Sequence, residues 1–176
     1  ENENYIHPTI PKNSDVEEGI IKGIYQIKNI SKNSKLKVQL LASGSMVNEA
    51  IKASELLKKD WDIDASVWSV TSYSELHKEA EDVRRWNILH PNSNPRKSYL
   101  EKKIVNKNGP VIAVSDYVKL VAEQISPYIK CAFVALGTDG FGRSDTRENL
   151  RTFFEVNRFY IILHVLDKLS IQKKNR

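Results

Sequence analysis

With 176 residues, 40% of them hydrophobic, the chain can build one domain with a real core, and it is too apolar for a disordered polymer. Its net charge of +5 comes from lysines scattered along the whole sequence, not from a block interleaved with aromatics, so solvated lysines on helix faces outweigh a nucleic-acid site. The longest apolar stretch, Phe159 to Leu166, is broken by His164 and is far too short to cross a bilayer.

Residues 1–18 read as a linker leading in from a preceding domain, and 19–176 as a single α/β domain. His7-Pro8 and Ile10-Pro11 favour extended chain, because proline biases its predecessor away from helix. The sequence does not begin with methionine and reads as the middle of a longer protein. Gly23 to Ile30 alternates imperfectly and predicts an edge strand, with a polar turn from Ser31 to Lys35. Lys37 to Ala42 is a compact apolar strand. Ser45, in the turn Ser43-Gly44-Ser45, is placed to cap a helix ending near Lys59. Asp64 to Val70 is the next strand, and Ser72-Tyr73-Ser74-Glu75 is a capping box that opens a helix from Tyr73 to Trp86.

Asn87 to Pro95 is a loop by its asparagines and prolines, and Arg96 to Asn106 is a lysine-rich helical stretch. Val111 to Val114 is a strand, and Ser115-Asp116 precedes a helix from Tyr117 to Ile125. Cys131 to Leu136 is the fourth main strand. The single cysteine, Cys131, sits in it as a small hydrophobe, which agrees with a reducing compartment. No secretory signal precedes the first strand, so a cytoplasmic location is the expectation. A short helix from Thr146 to Phe154 and a final helix through Phe159, Ile162, Leu163, Leu166 and Leu169 complete the chain. Strand alternating with helix predicts a three-layer α/β/α domain. Its mostly parallel sheet has about five strands, the first of them an antiparallel edge.

Most chemistry-bearing patterns are missing from the sequence. It holds no dinucleotide fingerprint, no nucleophile elbow, and no paired ligand spacing around His7, His77, His90 and His164. His164 reads as a core or interface histidine, and His90 as a loop-fixing hydrogen-bonding residue. The segment Leu136-Gly137-Thr138-Asp139-Gly140-Phe141-Gly142-Arg143-Ser144-Asp145 stands apart. It follows an apolar strand, presents Phe141 between two glycines and leads into a helix. Such turns after strand C-termini are where α/β sheets usually meet ligands and partners. Arg147 and Arg151 share one face of that helix, Glu148 can reach Arg151, and Asp145 with Glu148 forms a possible capping box. A purely structural turn and a subunit or domain interface are both open readings, and direct catalysis is the weakest of the three. The interface candidates are Asp139, Phe141, Arg143, Asp145, Arg147 and Arg151, with His90 as a loop candidate. No catalytic, cofactor-binding or metal-ligating residue is assigned.

This glycine turn, with Arg147-Glu148-Asn149-Leu150-Arg151 and Phe154-Glu155-Val156, resembles the C-terminal region of a known family. That family is the homodimeric, bacterial-type first component of the pyruvate dehydrogenase complex. Further matching stretches are Asn2-Glu3-Asn4-Tyr5, Glu17-Glu18-Gly19-Ile20, Lys22-Gly23-Ile24-Tyr25, Val38-Gln39-Leu40-Leu41, Ser69-Val70-Thr71-Ser72, Arg85-Trp86-Asn87, Leu89-His90-Pro91, and Asp116-Tyr117 with Lys119-Leu120. The resemblance implies the third, transketolase-type domain of an enzyme that decarboxylates pyruvate with thiamin diphosphate and Mg²⁺ and acetylates a lipoyl group. It also implies that the cofactor is held by the two preceding domains across a dimer interface. Neither the Gly-Asp-Gly motif nor the activating glutamate matches any position here. The expected partners are the preceding domains, a homodimer partner and the dihydrolipoyl acyltransferase component. The piece by itself is expected to bind neither cofactor nor metal and to be inactive. Two alternatives stay open: a regulatory module binding an anionic metabolite near Ser43-Gly44-Ser45 and Asp139 to Arg143, and the same domain of transketolase or another 2-oxo acid decarboxylating enzyme.

Overall fold

A computed structural model describes residues 6–12, 14–31, 34–104 and 108–174. Its centre is strand β2 (Leu36–Ala42), a run apolar enough to be covered on both sides, as a parallel central strand must be. Helix α2 (Met46–Trp61) returns the chain to β3 (Ile63–Val70), which lies parallel to β2. Helix α3 (Tyr73–Leu89) and the short α4 (Tyr99–Lys103) then carry it across β2 to β4 (Val111–Val114). Helix α5 (Lys119–Glu123) leads to the edge strand β5 (Phe133–Leu136). At the other edge, β1 (Ile24–Lys28) runs antiparallel to β3, with a bulge between Gln26 and Lys28. The order β1-β3-β2-β4-β5 makes a five-stranded, mostly parallel sheet with one antiparallel edge, as the alternation of elements predicts.

Side chains alternate across the sheet. Leu40 pairs with Val67 and Ile112 and faces a core of Ala50, Leu57, Ile161 and Val165 beneath α2 and α7 (Arg158–Lys174). Leu41, one residue on, faces Leu76, Leu100 and Ile125 under α3, α4 and the end of α5. Helices therefore cover both faces, giving three layers. Helix α6 (Arg147–Phe153) and the bend at Phe154 to Val156 link β5 to α7.

Several local expectations shift. Helix α1 (Ser14–Lys22) occupies the end of the stretch read as linker. Helix α3 runs on to Leu89, since the Asn87 side chain both accepts from the Arg96 backbone N–H (2.8 Å) and donates to its carbonyl (2.9 Å), pinning the returning chain against the helix end. The Arg96–Asn106 stretch reduces to α4, because Ser98 and Glu101 form a reciprocal capping box that starts the helix at Tyr99; positions 105 and 106 lie outside the described residues, as do Asn2 to Tyr5. The helix expected from Tyr117 begins at Lys119. Strand β5 begins at Phe133, so Cys131 precedes it and packs half-buried beside the second core, where burial pushes its thiol pKa up.

Candidate functional site

The chain leaves β2 toward β3 on one side and leaves β4 toward β5 on the other, so the carboxyl ends of β2 and β4 diverge. That divergence is the topological switch point, where open α/β sheets bind their ligands. Hydrogen bonds lace the loops together there. Ser43 Oγ donates to Ser115 Oγ (3.0 Å), and Ser115 Oγ accepts from the Tyr117 backbone N–H (3.1 Å). Ser45 is fully buried at the start of α2, yet its hydroxyl does not cap the helix. It points across the crevice to Asp116 Oδ2 (3.4 Å), and the expected capping role is not taken up: Ser45 keeps helical backbone angles (φ −64°, ψ −23°), whereas a capping residue is extended so that its oxygen meets the first helix N–H groups. Thr138 fastens the third loop, its hydroxyl donating to the Asp116 carbonyl (2.6 Å) and its N–H to the Tyr117 carbonyl (2.8 Å).

A groove of about 270 Å³ lies outside these loops. Met46, Leu150, Phe154 and Val156 supply its apolar surface, Ser45, Asp116 and Thr138 one wall, and Phe141, Arg143, Arg147 and Arg151 the other. Four of the expected interface residues thus converge on one groove.

The turn is built as its glycines require in one place and not in another. Gly140 adopts φ +92°, which a side chain would strain, and it throws Phe141 outward, 96% exposed. Gly142 uses no such angle and faces open space. The glycine that matters for packing is Gly137, where an added Cβ would meet the Tyr117 carbonyl oxygen at 2.5 Å and the Lys119 nitrogen at 2.7 Å. Arg143 lays its guanidinium 4.1 Å above the Phe153 ring.

Asp139 and Asp145 serve the backbone instead of the groove. Asp139 Oδ1 accepts from the Lys119 N–H at the start of α5 (2.9 Å), and the Lys119 ammonium stands 3.6 Å from Oδ2. Asp145 accepts from the Thr146 N–H (2.6 Å) and the Asn149 amide (2.8 Å), which hold its carboxyl below the usual range. The cap of α6 is Thr146, accepting from the Asn149 N–H (3.3 Å), so the expected Asp145–Glu148 box is displaced by one residue.

Arg151 reaches Glu49, a carboxylate that sequence reading passed over. Glu49 is 3% exposed on α2 and accepts one bond from Arg151 (3.3 Å) and three from Arg158 (2.9–3.0 Å). Burial alone would raise its pKa, but the Arg158 bonds and the charges of both arginines hold it below its ordinary value. The signal was its spacing: position 49 falls three after Met46 and four before Ala53, on the buried face of α2.

His90 lies elsewhere. It closes α3 at the opposite end of the sheet, its Nδ1 2.8 Å from the Trp86 carbonyl and its ring stacked on Trp86 at 4.4 Å, while Arg96 lies 3.6 Å from the same indole. A second polar cluster sits between α3 and the turn at Ser126–Tyr128. There the Tyr128 hydroxyl donates to Glu81, and burial and that carboxylate push it up to about 12. Among the described residues, no group of three His, Cys, Asp or Glu side chains is placed to hold a metal ion, and no helix is long and apolar enough to cross a membrane.

Residues 23–157 match the transketolase-like TK C-terminal domain family. The chain is 49% identical over 170 residues to the pyruvate dehydrogenase E1 component of Cupriavidus necator, 48% to that of Pseudomonas aeruginosa and 46% to that of Escherichia coli K12. In each case the match covers 96% of this chain and 19% of the relative, so the chain spans about a fifth of their length. Among solved structures, a transketolase from Leishmania mexicana superposes with TM-score 0.56 at 21% identity, covering 87% of this chain and 19% of that one. A split-gene transketolase, an inactive beta4 tetramer, gives 0.54 at 17%, covering 84% and 42%. These two likenesses speak for the fold.

Proposed function

This chain belongs to the transketolase-like C-terminal domain family, and from that premise we propose that it is the third domain of a thiamin diphosphate-dependent pyruvate dehydrogenase first component. The observation that carries the reading is the 49% identity to such a component across 96% of this chain. In this reading the parent enzyme decarboxylates pyruvate and acetylates the lipoyl group of the acyltransferase component in the cytoplasm. This domain completes the fold and contributes contacts to the preceding domains and to a homodimer partner.

Thiamin diphosphate with Mg²⁺ needs carboxylate and amide ligands around a metal and an acid to activate the thiazolium. Among the described residues no group of three His, Cys, Asp or Glu is placed to hold a metal, and no catalytic step is routed through them. What they do offer is rigidity: three loops cross-linked at the switch point, and a turn that projects one aromatic ring and one arginine. A misplacement of ~1 Å transmitted to a distant active centre can cost about 10²-fold in rate, so a contact surface of this kind matters to turnover. Phe141 is the anchor we assign to that contact, since a large ring 96% exposed on a fixed bend is the kind of residue that dominates interfaces.

The test uses the full-length parent protein. Phe141→Ala is expected to weaken dimerisation about tenfold or more, and to lower pyruvate turnover, without changing Mg²⁺ affinity. Sedimentation and activity both equal to wild type would remove the contact role. Pyruvate turnover by the 176-residue chain alone would remove the supporting role altogether.

A further inference from the structure

We infer that the loop after β4, Tyr117 to Leu120, is the docking patch for the part of the same polypeptide that precedes this domain, separate from the Phe141 contact. This deepens the third-domain reading and rests on it. Three of its four side chains are large, apolar and open to solvent: Tyr117 at 66%, Val118 at 45% and Leu120 at 71% exposure. Single exposed apolar residues are ordinary, but three in one short loop form a patch, and such patches mark contact sites. The loop is also held still. The Tyr117 N–H donates to Ser115 Oγ (3.1 Å), its carbonyl accepts from the Thr138 N–H (2.8 Å), and the Lys119 N–H donates to Asp139 Oδ1 (2.9 Å). A surface fixed before its partner arrives loses little conformational freedom on docking.

The course of the chain selects the occupant. The Ile6 carbonyl accepts from Asn48 Nδ2 (3.1 Å), in the first turn of α2. That turn also leads to the patch, since Ser45 at its start touches Asp116 Oδ2 (3.4 Å), and Asp116 immediately precedes Tyr117. The entering chain is therefore anchored at the carboxyl end of the sheet, where the patch lies, and not at the opposite end with Ile88 and Leu89. The match covers 19% of the Cupriavidus necator relative, so relatives of this kind carry ample polypeptide to cover the loop. Polypeptide joined upstream of Ile6 meets the patch as an intramolecular partner. A short connection gives it an effective concentration in roughly the mM range, and a free second copy competes poorly with that. The one charge inside the patch, the Lys119 ammonium, stands 3.6 Å from Asp139 Oδ2, so the loop offers apolar area with a matched charge at its rim. An apolar face of the preceding domain is the complementary chemistry.

Hydroxyl-radical footprinting of the full-length parent protein reads side-chain cover directly. Tyr117 and Leu120 are expected to be oxidised about fivefold or more slower than their exposure in this domain sets. Leu120 lies outside both cores, and L120D is expected to raise Tyr117 oxidation about fivefold or more while leaving sedimentation unchanged. Full reactivity of Tyr117 and Leu120 in the wild-type protein, or an unchanged Tyr117 rate in L120D, would overturn the proposal. Dissociation of L120D into smaller species, or cover that disappears when the protein is diluted to monomers, would also overturn it, because the occupant would then be a second copy. The wild-type footprint decides even if L120D folds poorly. The footprint reads neither turnover nor the effect of F141A on dimerisation, so its failure is distinct from failure of the third-domain reading and of the Phe141 contact.

Discussion

Glu49 ties three parts of the chain together through one carboxylate. It joins α2 to Arg151 of α6 and to Arg158 at the start of α7, over sequence separations of 102 and 109 residues. Its carboxyl is nearly inaccessible while both arginines keep partial solvent contact, so the pair is worth less than a wholly buried one. Removing the acid takes from Arg151 and Arg158 the carboxylate they share. Glu49→Gln is therefore expected to cost about 2–3 kcal/mol near neutral pH, a fall in Tm of roughly 4–12 °C. The folded-state pKa lies below its ordinary 4.5, so the unfolded chain binds the proton more readily in the window beneath that value. The stabilisation is complete above 4.5 and fades as pH falls through the folded value. Melting wild type and Glu49→Gln at about pH 7, 5 and 3 should show a gap that is constant between the first two and narrows at the third. A gap unchanged at pH 3 would mean that the glutamine acts through packing rather than charge.

At the scale of elements, the β5–α6 turn shows what a sequence reveals and what it hides. The paired glycines around Phe141 mark the bend, and the chain does expose Phe141 there. The pattern cannot tell which glycine is essential, because that depends on what lies across from each one. Gly137 has the β4–α5 loop against it; Gly142 has nothing within 4 Å. Gly137→Ala should thus displace Tyr117 and Lys119 and cost about 2–4 kcal/mol, while Gly142→Ala should be neutral to within about 0.5 kcal/mol, read by urea unfolding. Equal effects of the two would contradict the packing described. The same limit explains the capping errors. A hydroxyl one residue before a helix is visible in sequence, as at Ser72, which caps as expected. Ser45 instead finds its partner 71 residues away, and no local pattern encodes that. The mostly parallel sheet was legible for a different reason: buried parallel strands write continuous apolar runs, and strands that alternate with helices pair in parallel. The arginine side of the groove was legible as a cluster of residue types, whereas Glu49, Met46 and Asp116, which complete its surroundings, come from α2 and the β4 loop and become neighbours only on folding.

For the molecule as a whole, the sheet is a partition between two cores that share no buried residue. Leu40 and Leu41 are adjacent in β2 and fully buried, yet each belongs to a different core. Truncating either to alanine removes a well-packed side chain and should cost about 2–5 kcal/mol. Neighbouring substitutions usually couple, because they share partners or a common cavity. Here the backbone of β2 stands between the two voids, and it is held on both sides by the ladders to β3 and β4. The double variant L40A/L41A should therefore lose the sum of the single losses to within about 0.5 kcal/mol, by urea unfolding followed through both circular dichroism and tryptophan fluorescence. The two cores still share every strand of the sheet, so both signals should move together in a single transition for each variant. Separate transitions for L40A and L41A would mean that the α2–α7 layer and the α3–α5 layer unfold as independent units. A domain divided in that way could not hold Arg151 and Arg158, which belong to the first layer, in fixed register with Asp116 and Thr138 at the ends of β4 and β5. The groove at the switch point depends on that register, because its lining combines α2 and α6 with the loops that follow β4 and β5.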